Sequence, residues 1–157
     1  MDADVFEREN LEKRSKWDRR FLKLAEEVAG WSKDPSTKTG AVIVDSFNRV
    51  ISTGFNGFPR GVADLPARYQ DRVTKLNLIV HCEMNAILFA KTDLRGSTLY
   101  TWPFMSCVRC AVHVIQTGIW RCVAPETPAD KAARWADDMK AAREMFKEAG
   151  VYLDILA

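Results

Sequence analysis

The sequence predicts an α/β fold in which one mixed sheet of five strands lies between layers of helix. Three observations carry this expectation. Patterned segments follow one another in the order α-β-β-α-β-α-β-α-β. After the first strand pair, helices alternate with strands. Such connections leave consecutive strands parallel, with helices covering both faces. Hydrophobic side chains make up 47% and charged side chains 28% of the 157 residues. That is enough apolar material for one buried core and too much for a disordered chain.

Residues 1–15 carry dense charge without apolar periodicity and are expected to form an N-terminal arm or a short helix, ahead of a single domain over residues 16–157. From Trp17, apolar side chains recur at Phe21, Leu24, Ala25 and Val28, the spacing of one helical face. Ser15 suits the N-cap of that helix and Gly30 its end. Residues 41–44 and 50–53 are rich in β-branched residues, and the intervening 45–49 are polar apart from Phe47, which reads as a β-hairpin. A loop follows over 54–61, with Gly54, Gly57, Gly61 and Pro59. Residues 62–77 are charged, with helical patches. Residues 81–91 read as a buried helix, and 99–102 as a strand after the turn signal Arg95-Gly96. Residues 107–117 read as a helix closed by Gly118. A strand over 119–124 and an amphipathic helix over 130–149 come next. That helix carries Trp135, Met139, Ala142, Met145 and Phe146 on one side. A strand over 151–156 completes the pattern.

The charge balance excludes some partners. With 23 basic and 21 acidic residues the net charge is +2, too even to point to a nucleic-acid or membrane surface. No apolar run approaches the roughly 18–20 residues of a membrane span. The first twenty residues are studded with charge (Glu7, Arg8, Glu9, Glu12, Lys13, Arg14), so no signal peptide is visible, and a cytoplasmic protein is expected. Four cysteines in a chain of this length do not make a disulfide scaffold. Cys122, inside an apolar strand, reads as a buried core residue.

Two short segments carry chemistry. His81-Cys82-Glu83 opens one helix, and Cys107-Val108-Arg109-Cys110 opens another. Cysteines at i and i+3 share a helical face, and a helix N-terminus favours thiolate over thiol. Two soft thiolates and one imidazole suit zinc, and three protein ligands leave one position open, the catalytic pattern. Residues two apart on a helix diverge, so His81 and Glu83 share a site only with His81 at the helix lip and Glu83 in the first turn. A carboxylate there is placed to move protons between water and a leaving amine. Two other assignments use the same residues. Cys107, Cys110 and His113 form C-x-x-C-x-x-H, which suits a closed structural site with Cys82 or Cys122 as fourth ligand. A C-x-x-C pair is also a redox motif, which leaves His81 and Glu83 without a role.

His81-x-Glu83 followed by Cys107-x-x-Cys110 resembles the zinc-dependent cytidine and deoxycytidylate (dCMP) deaminase family. The segment from Lys33 to Val44, the loop Gly54-Phe55-Asn56-Gly57-Phe58-Pro59-Arg60-Gly61, Asn85-Ala86-Ile87 and Gln116-Thr117-Gly118-Ile119 resemble its deoxycytidylate branch, and the likeness runs from about Trp17 to Leu153. The resemblance implies a three-layer α/β/α cytidine-deaminase-like fold and hydrolytic deamination of dCMP to dUMP and ammonia. It implies that His81, Cys107 and Cys110 hold one Zn2+ per chain and that Glu83 is the catalytic proton shuttle. Asn56 is expected to bind the deoxyribose hydroxyl and Ser32 to contact the phosphate. Backbone groups near Cys82 and Ser106 are expected at the pyrimidine edge. The resemblance further implies a homo-oligomer, with a hexamer favoured, and dCTP and dTTP effectors acting with Mg2+. The chain departs from the family at Cys82, where alanine is usual, and at Ser106, where proline is usual. The preceding segment, Thr101-Trp102-Pro103-Phe104-Met105, is one residue longer, which leaves room for a 5-substituted cytosine. Other readings are a deaminase of free cytidine or tRNA adenosine, and a zinc-stabilised binding module without chemistry. For the loop, the alternative is that its glycines supply positive-φ turns and Asn56 bonds its own backbone.

Overall fold

Period-two alternation along the strands divides the core in two. The computed structural model describes residues 3–157. In chain order the elements are α1 (Ala3–Ala29), β1 (Gly40–Val44), β2 (Val50–Phe55), α2 (Pro66–Gln70), α3 (Arg72–Leu78), α4 (Cys82–Ala90), β3 (Thr98–Trp102), α5 (Val108–Gln116), β4 (Arg121–Pro125), α6 (Ala129–Glu148) and β5 (Tyr152–Leu156). The sheet order is β2-β1-β3-β4-β5. β1 runs antiparallel to both neighbours, and β3, β4 and β5 run parallel. Val42, Val44, Tyr100 and Val123 point to one face, where they meet Phe21, Leu22, Ala25 and Val28 of α1. Ala41, Ile43, Leu99, Cys122 and Ala124 point to the other, where α4, α5 and α6 bury Ala86, Ala111, Val114, Met139 and Phe146. The three-layer order anticipated from the sequence is the observed one, with α1 on the far face from the other long helices.

The N-terminal segment differs from its expectation. Described residues of 1–15 are the first half of α1, and Ser15 lies inside that helix rather than at its cap. Residues 7–14 are mostly strong helix formers. Once the packed half is anchored, each further residue adds a hydrogen bond without a new nucleation cost, so the extension needs no apolar face. α1 is tied down by Asp18, whose carboxylate is buried. It accepts two bonds from the Arg121 guanidinium, at 2.8 and 2.7 Å, and one from the Tyr100 hydroxyl at 2.7 Å. Arg121 also reaches Asp154 on β5 at 2.7 Å, so one charge cluster joins α1, β3, β4 and β5.

On the opposite face the packing sets the position of α4. Gly54 lies so close to this helix that a Cβ there would collide with the carbonyl of Cys82 and the amide of Ala86. The Asn85 side chain donates to the Phe55 carbonyl at 2.7 Å. Gly57 and Val80 exchange backbone hydrogen bonds of 3.1 and 2.8 Å, which pins the residue before His81. Of the three loop glycines only Gly61 has a positive φ, at 82°. Gly54 is needed for the absence of a side chain, not for its backbone angle. Gly54→Ala is therefore expected to push the first turn of α4 off the sheet. The measurement is zinc content of the purified variant together with its Tm, and both should fall; a fully metallated variant of normal Tm contradicts the packing argument.

Candidate metal centre and substrate cavity

An N-cap residue normally offers a side-chain oxygen to the free N–H groups of the first turn. α4 and α5 begin instead with His81 and Cys107, both in extended backbone conformation, and neither side chain makes a cap bond. Both point at a common spot. His81 Nδ1 lies 3.5 Å from Cys107 Sγ and 3.4 Å from Cys110 Sγ, and all three ligand atoms lie within 4.8 Å of one another. A tetrahedral zinc with bonds of about 2.0 Å to nitrogen and 2.3 Å to sulfur separates those atoms by about 3.5 Å. The triangle therefore fits zinc as it stands. Hydrogen bonding from the Cys110 thiol holds Cys107 down at about 5, as does His81, and Cys107 in turn raises the His81 pKa. The Cys110 thiol, as the donor of the pair, is pushed up. Cys107 is thus the more easily ionised sulfur of the pair, and deprotonated sulfur is what a metal requires.

His113 does not join this cluster. It is exposed, and its Nδ1 lies 2.8 Å from the Arg109 carbonyl in its own helix. Among the described residues no fourth His, Cys, Asp or Glu completes the group, so the geometry opposes a closed structural site. Burial pushes the Cys122 thiol up to about 12, as suits an inert core residue.

Glu83 occupies the first turn of α4 and is buried. His81 at the lip and Glu83 one step inside is the arrangement their spacing demands, and both line one cavity of about 380 Å³. Cys82 lines it too. Its thiol donates to Glu83 Oε2 at 3.2 Å, and burial, with the nearby carboxylate, raises its pKa well above the usual thiol value. Ser106 is buried, does not line the cavity, and its hydroxyl has no hydrogen-bond partner.

The two expected nucleotide contacts fare differently. Asn56 lines the cavity. Its Nδ2 donates to Asp34 at 3.2 Å and to the Thr37 carbonyl at 2.9 Å, and its Oδ1 accepts the Thr39 N–H at 2.8 Å. Both donors are spent, which leaves one lone pair on Oδ1 to accept from a ligand hydroxyl. Ser32 is a correction. Its hydroxyl is buried, donates to the Asn56 carbonyl at 2.8 Å and accepts the Asp34 N–H at 3.2 Å, and it lies off the cavity wall. A hydroxyl locked between two backbone groups braces the Asn56 loop and is not free for a phosphate.

Several cavity residues were not anticipated. Lys131, Arg134, Trp135 and Asp138 of α6 form one wall. Lys131 donates to Thr37 Oγ1 at 3.2 Å, and Arg134 lies over the Trp135 ring at 5.4 Å. From the sequence this side of α6 reads as core, and a basic residue beside a tryptophan was the one available sign of a ligand-facing surface. Trp102, Phe104 and Met105 supply an apolar wall. Lys75 is committed to Asp34 and to Ser36 Oγ, each at 2.8 Å.

An α/β/α sandwich with a His–Cys–Cys cluster that could hold a metal ion, and a buried carboxylate on the same cavity wall, fits a class of metal-dependent hydrolases. Comparison with known proteins narrows the class. The family model for the cytidine and deoxycytidylate deaminase zinc-binding region matches residues 15–125, and the chain belongs to that family. It is 47% identical over 137 residues to an uncharacterized deaminase in the luxG 3′ region of Aliivibrio fischeri, covering 87% of this chain and 91% of that one. It is 37% identical over 141 residues to the human deoxycytidylate deaminase, covering 86% and 76% respectively. A crystal structure of the dCMP deaminase of cyanophage S-TIM5 with dCMP and dUMP superimposes with a TM-score of 0.68 at 20% identity, over 99% of each chain. At that identity the match establishes a shared fold.

Asp34 makes a pH test possible. Burial alone would raise its pKa, but bonds from Lys75 and from the Ser36 and Thr37 N–H groups outweigh this and hold the carboxyl below its usual value of 3.8. A carboxyl depressed in the folded state stabilises the fold above its unfolded pKa and loses that contribution as pH falls through the folded value. Asp34→Asn is expected to lower Tm at neutral pH and to flatten the fall in Tm below about pH 4. Thermal unfolding across that range is the check, and an acid limb as steep as the parent's rejects the assignment.

Proposed function

We propose that this protein catalyses the hydrolytic deamination of dCMP to dUMP and ammonia. The observation that carries the reading is the His81–Cys107–Cys110 triangle, with the Glu83 carboxylate buried on the same cavity wall. These three side chains hold one zinc ion. The chemistry a zinc supplies in such a site is acidification of water, to a pKa of about 7. Water adds to C4 of the cytosine ring and the C4–N bond breaks. Glu83 moves the protons: it carries the first proton of the incoming water to ring N3, then takes the second from the hydroxyl formed at C4 and delivers it to the departing amine, which leaves as ammonia. The free lone pair on Asn56 Oδ1 accepts from the deoxyribose hydroxyl. Arg72, Lys131 and Arg134 line the same cavity and are the cations offered to a phosphate, since Lys75 is already paired with Asp34. The relatives named as deoxycytidylate deaminases support dCMP as the substrate.

The apolar wall of Trp102, Phe104 and Met105 favours a second substrate of the same type, a cytosine ring substituted at C5. Assembly as a homo-oligomer, hexameric by resemblance to the family, and control by dCTP and dTTP with Mg2+ belong to this reading and rest on that resemblance. A cytoplasmic location, read from the charge of the first twenty residues, belongs to this reading too; among the described residues no helix is long and apolar enough to cross a membrane.

The test is ammonia release over dCMP, CMP, deoxycytidine, dCTP and 5-methyl-dCMP, with and without dCTP as effector. The expected order places dCMP or its 5-methyl form first; release from deoxycytidine alone, or from none of the panel, overturns the substrate assignment. Glu83→Gln should retain zinc and lose at least about a hundredfold in kcat. A metal-loaded variant with near-parental turnover removes Glu83 from the mechanism.

A further inference from the structure

We infer that Asp138, on α6, is a positioning residue for the metal-binding cysteines. The inference rests on the reading of His81, Cys107 and Cys110 as zinc ligands and extends it to a residue on another helix, 30 positions beyond Val108. The first N–H groups of a helix have no partner within it. In α5 the fourth residue of the cap turn is satisfied internally, since Ala111 N–H donates to the Cys107 carbonyl at 2.9 Å. The Cys107 side chain, which an ordinary cap would turn back onto the helix, makes no cap bond and faces His81. Asp138 supplies an acceptor from outside the helix: its Oδ2 takes the Val108 N–H, the first of the helix, at 2.9 Å.

That bond has consequences for the sulfurs. Elsewhere α5 and α6 meet through apolar side chains, among them Ala111, Val114, Met139, Ala142 and Phe146. Contacts of this kind resist separation but are non-directional, so they set the axial position of a helix weakly. Among the described residues, the Asp138–Val108 bond is the one hydrogen bond between the two helices. It acts on the amide directly after Cys107 and so fixes where α5 begins. Cys110, one turn on, moves with it. Metal–ligand distances tolerate only about 0.2 Å, so a small slide of α5 opens the triangle. A carboxylate beside the positive end of a helix is favourable, yet two cysteines that bind a metal as thiolates would add negative charge of their own. The hydrogen bond, not the charge, is therefore what positions the ligands, and a neutral acceptor of the same shape should serve.

Two variants separate these roles. Zinc affinity of the purified full-length protein is measured by competition with a chelator, and the cobalt(II)-substituted protein is examined by absorption. Asp138→Ala is expected to bind zinc about tenfold more weakly and to show altered thiolate-to-cobalt and ligand-field bands. Asp138→Asn, which keeps an acceptor oxygen, is expected to restore both toward the parent. If Asp138→Ala binds zinc as tightly as the parent with an unchanged cobalt spectrum, Asp138 only packs and the inference falls. If Asp138→Ala does not fold, Asp138→Asn still decides, because parental affinity and spectrum support the hydrogen-bond account and a loss in either overturns it. Cys107→Ser serves as the separate control. Undiminished zinc affinity in that variant overturns the metal centre itself, whatever Asp138 does.

Discussion

Two helices begin at the same place, and each gives up its cap residue to a common purpose. His81 and Cys107 stand where a serine or aspartate would ordinarily satisfy the first turn, and their ring and sulfur meet 3.5 Å apart instead. Bringing two helix N-termini together requires that each be held by something other than its own cap. α4 is held from below. The bare backbone of Gly54 lets it settle onto β2, and Asn85 and the Gly57–Val80 pair fix the approach. α5 follows β3, and its exposed N–H finds an acceptor on α6. The metal triangle is thus the meeting point of three separate tethers.

The same arrangement gathers negative charge. Cys107 is the more easily ionised of the two cysteines, and Glu83 lies buried in the first turn of α4. The positive ends of α4 and α5 favour negative charge at both positions, and a divalent cation held there would offset it and couple metal binding to folding of this face. Cys82 adds a detail of its own. Its thiol, kept protonated by burial, donates to Glu83 and gives the carboxylate a partner without adding charge.

Much of this was legible in the residues. The strand order of the pattern and the alternation within strands are local signals, and the observed sheet follows them. His81-x-Glu83 and the cysteine pair stood out because an imidazole and two thiols spaced to share one helical face are metal-ligand types. What escaped the sequence depends on distance. Asp138 is one of several charged residues on α6, and nothing in the pattern around it says that its oxygen meets Val108. Ser32 was expected at the phosphate only through the resemblance to the family. Only the fold shows that its one donor proton is spent on the Asn56 carbonyl, while it accepts the Asp34 N–H. The first half of α1 was missed for the opposite reason. Charge without periodicity argues against a packed face, but a helix already anchored at Asp18 can continue into solvent without one.

The anchoring of α1 also explains how this sheet serves two ends. Asp18, Arg121, Tyr100 and Asp154 join four elements through charged and polar side chains on or beside the face of the sheet away from the metal. Breaking a buried ion pair by removing one partner strands the other in a low-dielectric interior, so this cluster constrains the relative placement of β3, β4 and β5. β3 and β4 lead into α5 and α6. Strict alternation keeps the side chains of the two faces apart: Leu99 and Cys122 face the site layer, while Tyr100 and Val123 face α1. The ionic clamp can therefore fix the strand ends from which the site helices depart without placing any of its own charge in the cavity. A site whose ligands must agree to a few tenths of an ångström is better built above such a braced sheet than on loops alone. The loops that do line the cavity, at Asp34–Thr39 and at Asn56, are themselves cross-linked by Ser32 and Lys75.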